Sequence, residues 1–388
     1  MSTLTDRQRL GILLAASLAS TIGGLPFNAL PVMLGSLADS YKLDAPAVGL
    51  IGSICFAGYL LGTLGSPFWI NRLNWRVLTA LTAAGTAASF AMSALARDLL
   101  QLQVVWALIG FCASTMTCLG MRILSDLPDK VRAFGVRQGI ELSVTALVLF
   151  TLPPWVIARY HYPGAAWALA AMVAVLGLSA WWLPARPQRA PEAAVRPARI
   201  SPAAWGALAV FFVYLTGNIG LWAFLERIGA SRQVLPAQMG LVFAVLKLLG
   251  GVAAFSVGAF GERWPLRRAH ALVLAVLAAG LALLGSGAGF VTYALGAWVW
   301  EFGFTCGCIL QTAHIARSDP GGRAIVLVPA AFALGSMVGP ALAGHWYGGG
   351  QVLALLALAG GCAVLPWLAL MLSRGRGDSA AAAAAPRH

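Results

Sequence analysis

The chain has 388 residues, of which 60% are hydrophobic and only 10% charged, with a mean hydropathy of +0.81 and a formal net charge of +13. A water-soluble chain carries about 25% charged residues, so this composition excludes a soluble domain and makes the bilayer the expected solvent. The positive balance does not indicate nucleic-acid binding, because the basic residues sort by side of the membrane rather than forming one patch.

Apolar runs long enough to cross a ~30 Å hydrocarbon core occur twelve times, at about 10–36, 47–70, 77–96, 101–123, 135–158, 164–184, 204–228, 237–260, 270–287, 290–314, 325–346 and 351–372. Each is expected to be a helix, since a helix satisfies its own backbone hydrogen bonds in lipid. The first run follows Arg7 and Arg9 but is too long for the apolar core of a signal peptide, so it reads as a span. It carries Asn28 between Pro26 and Pro31. The loop after the second run reads PFWINRLNWR (67–76), with Asn71, Arg72 and Arg76. Arg122 ends the fourth run, and in the fifth Glu141 follows Arg137 by four residues, the spacing of a helical ion pair.

A stretch rich in Pro, Arg and Ala, 185–203, reads as a cytosolic linker between two six-span halves, 1–184 and 204–373. On the seventh run Tyr214, Asn218 and Trp222 recur every four residues as a polar and aromatic stripe. The eighth carries Lys247 and is followed by GAFGERWPLRR (258–268), which gathers Glu262, Arg263, Arg267 and Arg268. Glu301 lies in the tenth run, with Trp298 on its side of the helix. The eleventh contains Gly335, Gly339, Pro340 and Gly344, small residues at a spacing that lets helices approach closely. Residues 374–388 are expected to form a disordered tail. The six cysteines make no CxxC pair and the histidines no cluster, so neither a metal nor another cofactor is expected.

Of the 26 Lys and Arg residues, only Lys42, Arg97, Arg159, Arg227, Arg232 and Lys247 fall in span interiors or toward the side away from the N-terminus. The rest lie in or at the edge of segments on the N-terminal side. This bias fixes both termini in the cytosol of an inner (plasma) membrane protein. Shifting PFWINRLNWR onto GAFGERWPLR aligns Gly49 with Gly240, Arg72 with Arg263, Arg76 with Arg267 and Arg132 with Arg323. The chain therefore reads as a tandem duplication, a plan common among transporters.

The loop after the second span of each half resembles the motif G-x-x-x-D-R-x-G-R-R of the major facilitator superfamily. Gly258, Glu262, Arg263, Arg267 and Arg268 follow it well, with Glu for Asp. The first copy is eroded, with Pro67 for Gly and Asn71 for Asp. The resemblance implies an all-α membrane protein of twelve helices, arranged as two six-helix bundles with pseudo-twofold symmetry around a central cavity. It also implies that these loop residues close the cytoplasmic side as a gate, the alternative being that the arginines only obey membrane topology. Proton-dependent drug exporters of the family carry an Arg where this chain has Trp106.

An ionisable residue inside a span is a functional candidate by default. Lys247 and Glu301 lie near mid-membrane by residue count, on helices that are neighbours in the family resembled, so an ion pair is expected. Glu301 is expected to exchange a proton, with Lys247 setting its affinity or meeting an anionic group. A static salt bridge is the competing reading. Glu141 and Arg122 are expected as an inner gate or as further proton-coupling groups. Asn28, Tyr214, Asn218, Trp222 and Trp298 are the expected substrate surface, and Gly335, Gly339, Pro340 and Gly344 a packing seam. The function expected is secondary transport of a small organic molecule, with the proton as coupling ion and export the favoured direction, by a monomer that needs no second copy and no nucleic acid. Uptake by symport or facilitation, and a non-transporting scaffold or sensor, are the alternatives. No convergent catalytic group suggests an enzyme.

Overall fold

A computed structural model of the chain describes residues 6–70, 72–127, 130–185, 200–260, 265–287, 289–319 and 323–383. All regular elements among them are helical. α1 (Asp6–Asn28) and α2 (Leu30–Tyr41) form the first pass, followed by α3 (Ala45–Ile70), α4 (Trp75–Ala94), α5 (Leu99–Ser125), α6 (Lys130–Thr151) and α7 (Ala158–Gly177). The second half comprises α8 (Pro202–Ser231), α9 (Pro236–Phe260), α10 (Leu266–Gly285), α11 (Gly289–Ser318), the short α12 (Arg323–Val326), α13 (Val328–Tyr347) and α14 (Val352–Ala383).

Ten helical segments are long and apolar enough to cross a membrane. One of them, Arg132–Trp182, has 51 residues, far more than one crossing needs at ~1.5 Å per residue. It reverses at His161, whose backbone (φ 54, ψ −156) leaves the helical region, and Pro163 begins the return. With Val328–Tyr347 the described residues make twelve passes, so the chain begins and finishes on one side, the termini end; the opposite side is the far end. Large apolar side chains such as Leu61, Phe68, Trp181, Phe255 and Leu353 point outward, as a lipid-facing surface requires. Helix continues to Ala383, into the stretch expected as a tail; its alanines have the highest helix propensity.

Helices pack both within each half and across the two halves. α3 packs on α5, α1 on α5 and α6, and α4 on α5 and α7; in the second half α11 packs on α9 and α10, and α8 on α13 and α14. The linker itself lies outside the described residues apart from its ends. Across the halves, α3 meets α13, α6 meets α9, and α2 meets α8.

These cross-half meetings occur beside prolines. Pro31 has no N–H to give the Phe27 carbonyl four residues earlier, and that carbonyl accepts from Trp222 Nε1 of the other half at 2.9 Å. Pro153 and Pro154 likewise deprive Leu149 and Phe150, and the chain widens into a π-turn at Leu152–Ile157. Gly240 of α9 packs on those two carbonyls. Pro340 lies inside α13, and the N–H of the next residue, Ala341, donates to Ser53 Oγ of α3 at 2.9 Å.

α13 also carries the small-residue seam. Gly335 and Gly339 face α8 at Leu215, Thr216 and Gly220, while Gly344 and Pro340 face α3 at Ala45 and Gly49. A Cβ at Gly49 would fall on the Pro340 carbonyl, whereas one at Gly11 meets nothing within 4 Å. Gly49→Val is expected to cost about 1–3 kcal/mol by overpacking and to lower the melting temperature in detergent, with Gly11→Val unchanged. Equal melting of the two variants would contradict this packing.

Candidate functional site

Between the halves lies a cavity of about 570 Å³. Its wall is drawn from α1, α3, α5, α6, α8, α9, α11 and α13, with no residue from α4, α7, α10 or α14. It runs from Trp222, Lys247 and Glu301 toward the termini end, where Arg137, Gln138, Ile309 and Pro329 line it. The far end is closed by the proline-linked contacts and by Arg227 of α8, which donates to Asp39 Oδ1 of α2 at 2.6 Å and to the Gly35 carbonyl at 3.2 Å.

Four charged residues line the cavity: Arg137, Glu141, Lys247 and Glu301. On α6, Arg137 Nη2 donates to Glu141 Oε2 at 2.6 Å, and its Nε donates to Ser20 Oγ of α1 at 2.7 Å. The other Glu141 oxygen accepts from Asn28 Nδ2 at 3.3 Å. The Arg137–Glu141 pair is thus closed on itself, as the four-residue spacing led us to expect, and tied to α1.

Lys247 and Glu301 face the same cavity but do not form the direct ion pair expected of them. The Lys247 ammonium instead lies 3.9 Å from the centre of the Trp222 ring and 5.6 Å from that of Phe27. A ring face attracts a desolvated cation electrostatically, and Trp222 takes the position beside the lysine that a carboxylate would fill. Glu301 lines the cavity beside Thr305, one turn along α11. It lies opposite Gly250, where a Cβ would come 2.9 Å from its Oε1. Lys247 feels both Glu301 and Glu141 electrostatically.

Other expectations need correction. Tyr214 and Asn218 are fully buried between α8 and α11, not on the cavity wall. Trp300 Nε1 donates to Asn218 Oδ1 at 3.0 Å, Asn218 Nδ2 to the Tyr214 carbonyl at 2.9 Å, and Tyr214 OH to the Phe304 carbonyl at 3.0 Å. Buried polar groups need such partners, and this chain of bonds accounts for both residues. Trp298 is also off the wall, donating to the Val242 carbonyl at 2.9 Å and joining α11 to α9. Arg122 pairs with Asp126, one turn on, and stacks over Trp75, away from the cavity. Trp106 bonds Tyr162 OH at 3.0 Å inside the first half.

Of the expected gate, Asn71, Glu262 and Arg263 lie outside the described residues. Gly258 belongs to α9, Arg72 is exposed, and Arg267 and Arg268 open α10. Arg76 Nε donates to the Leu183 carbonyl at 2.6 Å, a bond within the first half. The aromatic wall of Phe27, Phe56, Tyr59, Phe304 and Phe332 escaped sequence reasoning, as did the Asp39–Arg227 bridge. For the bridge, no sequence spacing could signal a pair 188 positions apart.

The profile of the Major Facilitator Superfamily matches residues 13–321. No curated protein sequence matches the chain. Among solved structures, the nucleoside transporter NupG covers 94% of this chain and 98% of its own, with a TM-score of 0.75 at 15% identity. A bacterial homolog of the human lysosomal transporter Spinster, in an inward-facing and unoccupied conformation, covers 95% and 96%, with a TM-score of 0.69 at 14% identity. A D-xylose–proton symporter covers 93% and 96%, with a TM-score of 0.71 at 11% identity.

Asn218→Leu strands the buried Trp300 N–H and is expected to cost about 1–3 kcal/mol, read as a lower melting temperature. Adding Trp300→Phe removes the stranded donor and is expected to recover part of the loss. A neutral Asn218→Leu would contradict the structural role given to this residue.

Proposed function

Because the chain belongs to the Major Facilitator Superfamily, we propose that it carries a small organic molecule across the inner (plasma) membrane by alternating access, as a proton-coupled monomer with both termini in the cytosol. It is a multi-pass membrane protein of a transporter family, not an enzyme. One observation carries the proposal: a cavity walled by both halves holds two acidic and two basic side chains, is sealed at the far end and is lined down to the termini end. A scaffold has no use for charges at that depth, since each must be compensated in a low-dielectric interior. With the termini in the cytosol, this is an inward-facing state. The Spinster homolog, captured inward-facing, supports that reading by likeness of fold.

Glu301 is the proton carrier in this reading. Arg137 and Asn28 already hold both oxygens of Glu141, whereas Glu301 faces the cavity without an arginine or amide partner among the described residues. Protonating Glu301 changes the net charge of the cavity by one. A substrate that competes with that proton is exported against an inward proton gradient, the direction expected from the sequence. One that binds together with the proton is taken up. The D-xylose–proton symporter shares the fold, so proton coupling is within the means of this architecture.

Reconstituted vesicles with a trapped pH dye, given a panel of sugars, organic acids, amino acids and lipophilic amines, test the coupling. Substrate-evoked proton movement is expected in the native chain and is expected to vanish in Glu301→Gln, with exchange of substrate for substrate retained. Proton movement that survives in Glu301→Gln would refute the assignment.

A further inference from the structure

Lys247 is 5% exposed, yet among the described residues it makes no hydrogen bond and no ion pair; ring faces are its neighbours. An ammonium carries three N–H donors. Arg137 and Glu141 hold each other, which leaves Lys247, among the described residues, as the cation of the cavity wall that no carboxylate holds. Gly23, Gly24, Gly250 and Gly251 line the same cavity, and Gly24 and Gly250 let the carboxylates of Glu141 and Glu301 come close to α1 and α9. Around that space stand Phe27, Phe56, Tyr59, Phe304 and Phe332, and the volume is that of a small-molecule pocket.

We propose that the substrate is a small monocarboxylate with an apolar, aromatic-sized body, its carboxylate held by Lys247 and its rings or chain by the aromatic wall, and that one proton on Glu301 travels with it. The proposal rests on the transport reading above and names its substrate class. The carboxylate supplies the acceptors Lys247 lacks, and a charge-assisted hydrogen bond is the strongest contact available there.

The proton follows from charge balance. Arg137 and Lys247 against Glu141 and Glu301 leave the empty cavity neutral. A bound anion makes it negative, and one proton restores neutrality. The ionisable groups facing Lys247 are Tyr59 from α3, Arg137 and Glu141 from α6, and Glu301 and Cys308 from α11; α1, α8 and α13 bring none to the wall. Glu141 is committed to Arg137 and Asn28, which leaves Glu301. An amine instead makes the neutral cavity positive and calls for no proton on Glu301. The carboxylate therefore favours uptake by symport over the export expected from the sequence.

Phenylacetate, phenylacetamide and phenethylamine share one ring and differ in charge, so they separate these cases. With the full chain in nanodiscs, phenylacetate alone is expected to raise the melting temperature, with affinity falling as pH rises. Lys247→Gln is expected to weaken phenylacetate about tenfold or more. Lys247→Arg keeps a charged donor and retains most of the binding, and Glu301→Gln makes the affinity insensitive to pH. Equal responses to acid and amide, no response to acid, or a Lys247→Gln variant that binds like the native chain would overturn the proposal. Phenethylamine driving proton movement in vesicles where phenylacetate does not would sink the carboxylate and leave transport standing. Phenylacetate that binds through Lys247 but never crosses the vesicle membrane would confirm the site and sink transport instead.

Discussion

The two halves of this bundle meet beside prolines, and at Phe27 one half satisfies a carbonyl that a proline of the other has set free. A proline in a helix removes one donor and leaves a carbonyl four residues earlier without its partner, and in lipid such a group must be satisfied by protein. Once here the opposite half supplies that partner, Trp222 donating to the Phe27 carbonyl; beside the other prolines Gly240 packs against the carbonyls of Leu149 and Phe150, and the Ala341 N–H next to Pro340 donates to Ser53. All three lie toward the far end. A seam of this kind closes without interlocking large side chains. Water can take over each freed group once the halves part, so opening strands none of them.

Trp222 connects that seam to the cavity. Its indole N–H holds the Phe27 carbonyl and its ring face holds the Lys247 ammonium. An anion that draws Lys247 off the ring alters the same side chain that fastens α1 to α8. Arg227, one turn and a half along α8, fastens the same two regions again through Asp39 and the Gly35 carbonyl. The charge site and the closure of the far end thus share one helix and, at Trp222, one residue.

Much of this was legible in the sequence. Span count and depth of charge are one-dimensional properties, so the twelve passes, the placing of Lys247 and Glu301 on the cavity wall, and the Arg137–Glu141 pair could be read from spacing alone. Faces were harder. A step of four residues turns a helix by about 40° beyond a full turn, so over two steps Trp222 is rotated roughly 80° from Tyr214. That rotation is enough for Trp222 to meet the cavity while Tyr214 and Asn218 meet α11. Lys247 and Glu301 stay unpaired because an aromatic ring from a third helix stands beside the lysine, and no spacing within α9 or α11 records it. Arg122 carried its partner in plain view, since Asp126 is four residues on. The residue that stood closest in sequence outweighed the one imagined across the cavity.

Alternating access, as proposed, requires the cavity to open and close at its two ends through this seam. The most direct measurement is thiol labelling of paired positions on a chain without its native cysteines, with Gln138→Cys at the mouth of the cavity and Val48→Cys, buried at the far end. At rest, position 138 should label and position 48 should not. Replacing Trp222 by Phe, which keeps a ring but loses the bond to the Phe27 carbonyl, should raise labelling at 48 and lower it at 138 together. Labelling at 138 that holds steady while 48 opens, or a position 48 that stays closed in every state, would mean that the halves do not rock about this seam.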